Sequence, residues 1–285
     1  MEKIIFNLKT LGKVRTSETY ATTLRSFRRF TNNTDIALNN MSSDIMMAYE
    51  AYLKQQGVTP NSSSFYMRNL RAVYNRAVER GLTNQQYPFK HVYTGVEKTV
   101  KRAIPLKEIK RIKEMDLYMN TTLEFARDMF LFSFYTRGMS FVDMAYLRKK
   151  DLQNGVLSYR RRKTRQQLFI KWEKCMLEIV KKYNNPPSEY LLPIINPNAK
   201  TDARKQYIYT LHNINRNLKL LGNQLGLPLS LTMYVARHTW ASIAKSKNIP
   251  ISVISEGMGH DSEATTRIYL ASLDTTAIDK ANSGH

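Results

Sequence analysis

Apolar residues recur at helical spacing along most of this 285-residue chain, and in one place that spacing switches to the alternation of strands. Residues 156–162 and 168–172 read as two strands, with Lys163-Thr164-Arg165-Gln166 between them as the turn. Everything else that is regular reads as helix. The chain is therefore expected to be mainly α, with a helical domain followed by a mixed α+β domain that carries a small antiparallel sheet.

The first helix is read from Thr16 and Ser17, which offer an N-cap, with Tyr20, Leu24 and Phe27 on one face and Arg25, Arg28 and Arg29 on the other. A second helix starts near Ser43, carries Ile45, Tyr49, Tyr52 and Leu53, and stops at Gly57. Thr59-Pro60-Asn61-Ser62 opens a third, whose stripe is Tyr66, Leu70, Val73 and Ala77, and Gly81 closes it. Arg68, Arg71, Arg76 and Arg80 ride on that helix. Residues 82–103 lose the helical period and gain Pro88, Gly95, Lys98, Lys101 and Arg102, the composition of a basic linker. The helical domain is placed at 1–95, the joint at 96–104 and the larger domain at 105–285. Further helices are expected after Pro105, at 123–135, 140–147, 173–183, 203–225, 234–245 and 251–258, with a last one at 274–281 whose apolar side is Leu273, Ala277, Ile278 and Ala281.

Charge narrows the partner. Lys plus Arg number 44 against 23 acidic residues, a net of +21. Residues 1–103 hold +9 of it and the remainder +12, so the excess is no tail but belongs to both halves. Such a field favours polyanions, of which nucleic acid is the usual one; ribosomal and membrane-surface proteins are the competing classes. The single cysteine, Cys175, allows no intrachain disulfide and reads as a small buried side chain in a reducing cytoplasm. No secretory signal is read at Met1–Leu11, and no apolar run is long enough to span a membrane. His and Cys spacings typical of metal sites are missing, as are glycine-rich phosphate loops, so no metal or cofactor is expected.

Several residues carry the chemistry. Tyr269 follows His260 by nine positions, and Arg237 lies upstream inside an otherwise apolar helix. Tyrosine is a poor nucleophile at its ordinary pKa near 10 and needs cations close by. A guanidinium matches the paired non-bridging oxygens of a phosphodiester under attack. The imidazole of His260, after the flexible Met258-Gly259, can donate to phosphate or shuttle a proton. Lys163, on the presumed hairpin turn, can reach a leaving oxygen. Arg137 follows the apolar 129–135 run and must be paired or face a site, with Asp143 as its candidate partner. Tyr234, Ser140 and His238 are further candidates for phosphate contact, His238 reading better as a brace of its helix. Arg25, Arg28, Arg68, Arg71, Arg162 and Arg165 are the candidates for gripping DNA. Each of these side chains taken alone has a bland reading, such as a surface arginine or a satisfied histidine. Their order and spacing argue for cutting and rejoining a phosphodiester through a covalent tyrosine link.

That ordered set resembles the tyrosine recombinase, or phage integrase, family. Ala236-Arg237-His238-Thr239-Trp240-Ala241 is similar to its second-arginine block, and Met258-Gly259-His260 and Thr266-Arg267-Ile268-Tyr269 to its Leu-Gly-His and nucleophile blocks. Arg162-Lys163-Thr164 resembles its hairpin lysine, and residues 1–95 its helical, SAM-like core-binding domain. The resemblance implies a C-shaped clamp on double-stranded DNA, a free monomer that becomes a homotetramer on two recombining sites, and in some members accessory DNA-bending proteins. It implies attack by Tyr269 to give a 3′-phosphotyrosyl link and a 5′-hydroxyl, then strand exchange through a Holliday junction without a cofactor. The last helix would dock on a neighbouring protomer, and the protein would act in the bacterial cytoplasm, on the nucleoid when bound.

Two departures stand out. The family's histidine three residues before the second arginine is Tyr234 here, and its first arginine is Ser140. Arg137 lies one helical turn earlier and is assigned as the missing guanidinium. The block Thr136-Arg137-Gly138-Met139-Ser140-Phe141 resembles a subgroup carried on mobile elements of anaerobic gut bacteria. About fifteen residues precede the first expected helix, too few for a domain that reads distant arm sites, so an Xer-like recombinase or invertase is expected. Alternatives are a DNA-binding relative without catalysis and a type IB topoisomerase; an RNA-binding protein would explain the charge but not the ordered blocks.

Overall fold

The computed structural model describes residues 1–97, 102–183 and 188–270, with the side chains of Ile268 and Tyr269 outside the described set. The helix expected at 274–281 and the linker residues Lys98 and Lys101 also lie outside it. The chain separates into two compact units, 1–99 and 100–285.

The first unit holds α1 (Glu2–Thr10), α2 (Val14–Phe30), α3 (Ser43–Gln55) and α4 (Pro60–Glu79). The expectation that the helices begin near Thr16 is corrected: α1 precedes it, and α2 is already under way at Val14, so Ser17 sits inside the helix with its hydroxyl donating to the Val14 carbonyl at 2.7 Å. Only Leu8 of α1 is fully buried, which is why the apolar pattern there is weak. Ser42 caps α3, its Oγ accepting from the Ile45 amide, and Pro60 occupies the first turn of α4, where its missing N–H costs nothing. The buried stripe of α4 is Met67, Leu70, Tyr74 and Ala77, leaving Arg68, Arg71, Arg76 and Arg80 exposed on the other faces. These residues pack against Met46, Tyr49 and Leu53 of α3. Tyr49 is fully buried, and its hydroxyl donates to Ser26 of α2 at 2.8 Å. Residues 82–97 are no free linker. Phe89 and Val92 join the core, Tyr74 donates to the Asn84 carbonyl, and Asn61 exchanges two hydrogen bonds with the backbone of Glu97.

The second unit is built around α6 (Thr121–Tyr135), which is buried on nearly every side. Asn120 caps it through a bond from the Leu123 amide. Against α6 pack α5 (Leu106–Glu114), α8 (Lys174–Lys182), α9 (Ala203–Gln224) and α10 (Met233–Ser246). The short α7 (Phe141–Ala145) follows α6, and α11 (Ile251–Met258) and α12 (Glu263–Leu270) end the described chain. The hairpin expected from the sequence is the pair β2 (Val156–Arg160) and β3 (Gln167–Lys171), and a two-residue strand, β1 (Leu152–Gln153), makes it a three-stranded antiparallel sheet. Asn154 and Gly155, both with positive φ, form the tight β1–β2 turn that twist favours. Leu157 opposite Ile170 and Tyr159 opposite Leu168 face the core. No described helix is long and apolar enough to cross a membrane. The mainly helical fold with one small antiparallel sheet is the one expected.

Replacing Tyr49 by Phe removes the buried bond to Ser26 and leaves that hydroxyl without its donor. It should cost about 1–2 kcal/mol, read as a lower urea midpoint for the first unit within the intact chain.

Candidate functional site

The site forms where the C-terminal ends of α6 and α11 meet α10. Past Tyr135 the chain reverses through Arg137 and Gly138, both left-handed at φ +60° and +72°. The Gly138 amide returns to the Ser133 carbonyl at 2.8 Å and closes the helix. A Cβ on Gly138 would lie 2.6 Å from the Cα of Arg237, so only glycine lets α10 pass this close. The next element, α7, is capped by Ser140. Its hydroxyl donates to the Asp143 carboxylate at 2.6 Å and accepts from the Asp143 amide at 3.4 Å.

Arg237 is 7% exposed and points into this junction. Its Nη1 donates to the Gly138 carbonyl at 2.8 Å and its Nη2 to the Met258 carbonyl at 2.7 Å. The Met258 carbonyl ends α11, where unpaired acceptors and the helix dipole attract a cation, and the Gly138 carbonyl lies in the turn between α6 and α7. The same Nη2 is 2.9 Å from Nε2 of His260. Gly259, at φ +62°, ends α11 and aims His260 back at Arg237. On its other side the His260 ring has Nδ1 2.8 Å from the Thr266 hydroxyl. Burial, then the charges of Arg237, Arg161 and Lys163, pull the His260 pKa down to about 4, so the imidazole is neutral at physiological pH.

The β2–β3 turn closes the cluster from the sheet side. Arg161 is buried, donates through Nη1 to the Gly259 carbonyl, and has its Nε 3.9 Å from Asp143. Asp143 also accepts the Arg162 amide at 2.9 Å, while the Arg162 guanidinium lies 3.8 Å above the Tyr146 ring. Gln166 donates to the His260 carbonyl. Lys163 and Arg165 are exposed on the turn. Asp143, expected beside Arg137, instead fixes Ser140 and the base of the hairpin. Arg137 is half-buried and runs along α11, its Cδ within 3.6 Å of where a Cβ on Gly257 would stand. Arg137, Arg161 and Arg237 all act on the buried Tyr159, whose hydroxyl is pushed upward by burial and by Asp143.

The structure thus brings together Arg237, His260, Arg161 and the Lys163 turn, with Arg137 near the same junction. Tyr234 is exposed on the first turn of α10, its ring at right angles to that of the buried His238 with centroids 4.5 Å apart. Tyr269 lies on α12, a helix the sequence pattern does not reveal, three residues and so one turn beyond Thr266. In the first unit Arg25, Arg68 and Arg71 are exposed, Arg71 bonding Thr94, whereas Arg28 pairs with Glu2 at 2.7 Å. Arg28 is therefore a partly neutralised candidate for DNA contact. Two features escape the sequence reading. One is Arg161, which the alternation Leu157, Tyr159, Arg161 would have turned inward. The other is the face of α9 exposing Lys205, Tyr209, His212, Arg216 and Lys219 on a helix with no acidic residue. Among the described residues no group of His, Cys, Asp and Glu is arranged to hold a metal ion.

Comparison with known proteins adds the family. Residues 1–93 match the phage integrase SAM-like domain, and residues 102–276 match the phage integrase family. Comparison with curated proteins gives no match. Among solved structures, the fold is similar to lambda integrase (residues 75–356), crystallised as a dimer on a COC' core site, at TM-score 0.69 and 15% identity, over 94% of this chain and 93% of that one. It is similar to the XerH site-specific recombinase in a post-cleavage complex with palindromic difH, at TM-score 0.71 and 18% identity, over 100% and 83%. It is also similar to the Tn1549 transposon integrase with a circular-intermediate DNA, at TM-score 0.63 and 15% identity, over 86% of each chain. At these identities the structural likeness speaks for the fold, and the matched family spans most of the second unit and nearly all of the first. The chain belongs to the phage integrase family, the tyrosine site-specific recombinases.

Proposed function

We propose that this recombinase cuts and rejoins duplex DNA through Tyr269, forming a 3′-phosphotyrosyl link and a 5′-hydroxyl. One observation carries the reading: Arg237 and His260 meet at 2.9 Å with cationic side chains around them, and His260 opens the short segment that leads to Tyr269. A phosphodiester entering this cluster would exchange the weak acceptors of Arg237 for its own charged oxygens. Arg237 then stabilises the charge that grows on the non-bridging oxygens as the phenol attacks. Lys163, exposed on its turn, protonates the departing 5′ oxygen. The bond energy stays in the phosphotyrosyl ester, so rejoining needs no cofactor.

Arg137 supplies the guanidinium that Ser140 lacks. It is half-buried at the site junction, and no ion pair to it is found among the described residues. Arg161, the competing cation, is committed to the Gly259 carbonyl and faces Asp143, the posture of a brace. Tyr234, exposed on α10, is a secondary contact, and the buried His238 braces its ring. Arg25, Arg68, Arg71, Arg162 and Arg165, with the basic face of α9, hold the phosphate backbone, so binding should weaken steeply with salt. Lambda integrase has been seen as a tetramer on a Holliday junction, which favours a homotetramer of this chain on two recombining sites. Accessory DNA-bending proteins and a cytoplasmic, nucleoid-bound location fit the same reading.

A duplex nicked beside the cut site traps the covalent product. The parent protein should form an adduct that survives denaturation, and Tyr269→Phe should form none; an adduct with the Phe variant would overturn the assignment. On the same substrate Arg137→Ala should cleave about 100-fold more slowly, the usual effect of losing one donor to a developing oxyanion, with an unchanged melting temperature. Arg161→Ala should lose stability as well as rate. Parental cleavage by Arg137→Ala would return the missing-arginine role to Arg161.

A further inference from the structure

We infer that Thr266 is a positioning residue for the cleavage step, holding His260 in the tautomer whose Nε2 accepts a proton and docking the helix of Tyr269 onto Arg237. The mechanistic consequence rests on the function proposed above; the tautomer itself does not.

The proton positions follow from donor chemistry. A guanidinium only donates, so Nε2 of His260, 2.9 Å from Nη2 of Arg237, presents its lone pair there. Burial keeps the imidazole neutral, helped by the charges of Arg237 on α10 and of Arg161 and Lys163 on the β2–β3 turn. A neutral ring has one N–H, which therefore sits on Nδ1. Nδ1 is 2.8 Å from Oγ1 of Thr266, so it donates to that hydroxyl. Thr266 is fully buried and one helical turn before Tyr269 on α12. Its hydroxyl thus ties the nucleophile's helix to the guanidinium through a single imidazole.

This arrangement gives His260 a defined part. When a phosphate oxygen takes the place of Nε2 on Arg237, the lone pair of Nε2 becomes available. As the Tyr269 oxygen bonds to phosphorus, its phenolic proton passes to Nε2 and His260 becomes an imidazolium. The bond from phosphorus to the 5′ oxygen breaks, and that oxygen takes a proton from Lys163. Rejoining runs the same transfers backwards. His238 is buried against Tyr234, so His260 is the imidazole that meets Arg237. Thr266 supports it by accepting from Nδ1 both before and after the proton arrives.

The test separates this idea from its premise. Two-bond proton–nitrogen spectra of the full chain labelled with ¹⁵N-histidine report which ring nitrogen of His260 is protonated. The Nδ1–H form should dominate in the parent and in Thr266→Ser, and its share should fall in Thr266→Val, which leaves that N–H without its acceptor. Cleavage of the nicked duplex should slow roughly tenfold in Thr266→Val, about one hydrogen bond's worth, and recover to near the parental rate in Thr266→Ser. In the parent the rate should fall as acid protonates His260. An Nε2–H tautomer in the parent, or parental cleavage with the Nδ1–H form intact in Thr266→Val, overturns the inference. Should the valine variant not fold, the parental tautomer and the serine variant still decide. An adduct formed by Tyr269→Phe would instead sink the proposed function while leaving the tautomer result standing.

Discussion

The candidate site depends on the buried guanidinium of Arg237. Placing a charge at 7% exposure is expensive unless its donors are met, and Arg237 meets them with the carbonyl that ends α11, one in the turn after α6, and an imidazole. Those acceptors come from stretches of chain about a hundred and about twenty residues away. The bond pattern therefore does more than satisfy a cation. It fixes the ends of α6 and α11 relative to α10, and with them the reversal that carries Arg137 and the turn that presents His260. These neutral acceptors keep the guanidinium ordered.

Around it, positive charge is concentrated and then trimmed. Burial holds His260 neutral, and the charges of Arg237, Arg161 and Lys163 reinforce it. Asp143 is the local counterweight: it receives the Ser140 hydroxyl and the Arg162 amide and faces Arg161, pinning the sheet to the start of α7. Its position explains how Ser140 is held in place where the family carries an arginine. A junction this cationic, with one buried carboxylate used for bracing, is preorganised for a phosphate rather than for a neutral ligand.

Much of this was legible before any coordinates. The apolar stripes announced α3, α4, α6 and α9 to α11 because each buries one long face, and the break to a period of two announced β2 and β3. The Arg237, His260 and Tyr269 blocks stood out because their spacing reflects contacts across the fold. What stayed hidden has physical causes. Helix α1 buries a single leucine, and α12 is short and polar, so neither shows a clear stripe. Strand β1 is two residues long and was signalled only by Asn154-Gly155. Phe89 and Val92 sit in a segment rich in turn residues, where burial comes from tertiary packing. Arg161 was masked by its neighbours: in a run of basic residues composition says surface, and only strand alternation says inside. The partner of Asp143 could not be read at all, since it depends on how the hairpin folds over α7.

Gly138 and Gly259 contribute by what they lack. A methyl group on the first would meet the backbone of Arg237 at 2.6 Å, and on the second the side chain of Arg161 at the same distance. Neither residue carries a reacting side chain, yet a survey that scores only lost recombination would rank both with the reacting groups. Sensitivity to substitution in this protein thus maps the empty volume that lets two arginines approach backbone, and it would outline that volume even where the sequence around it has drifted.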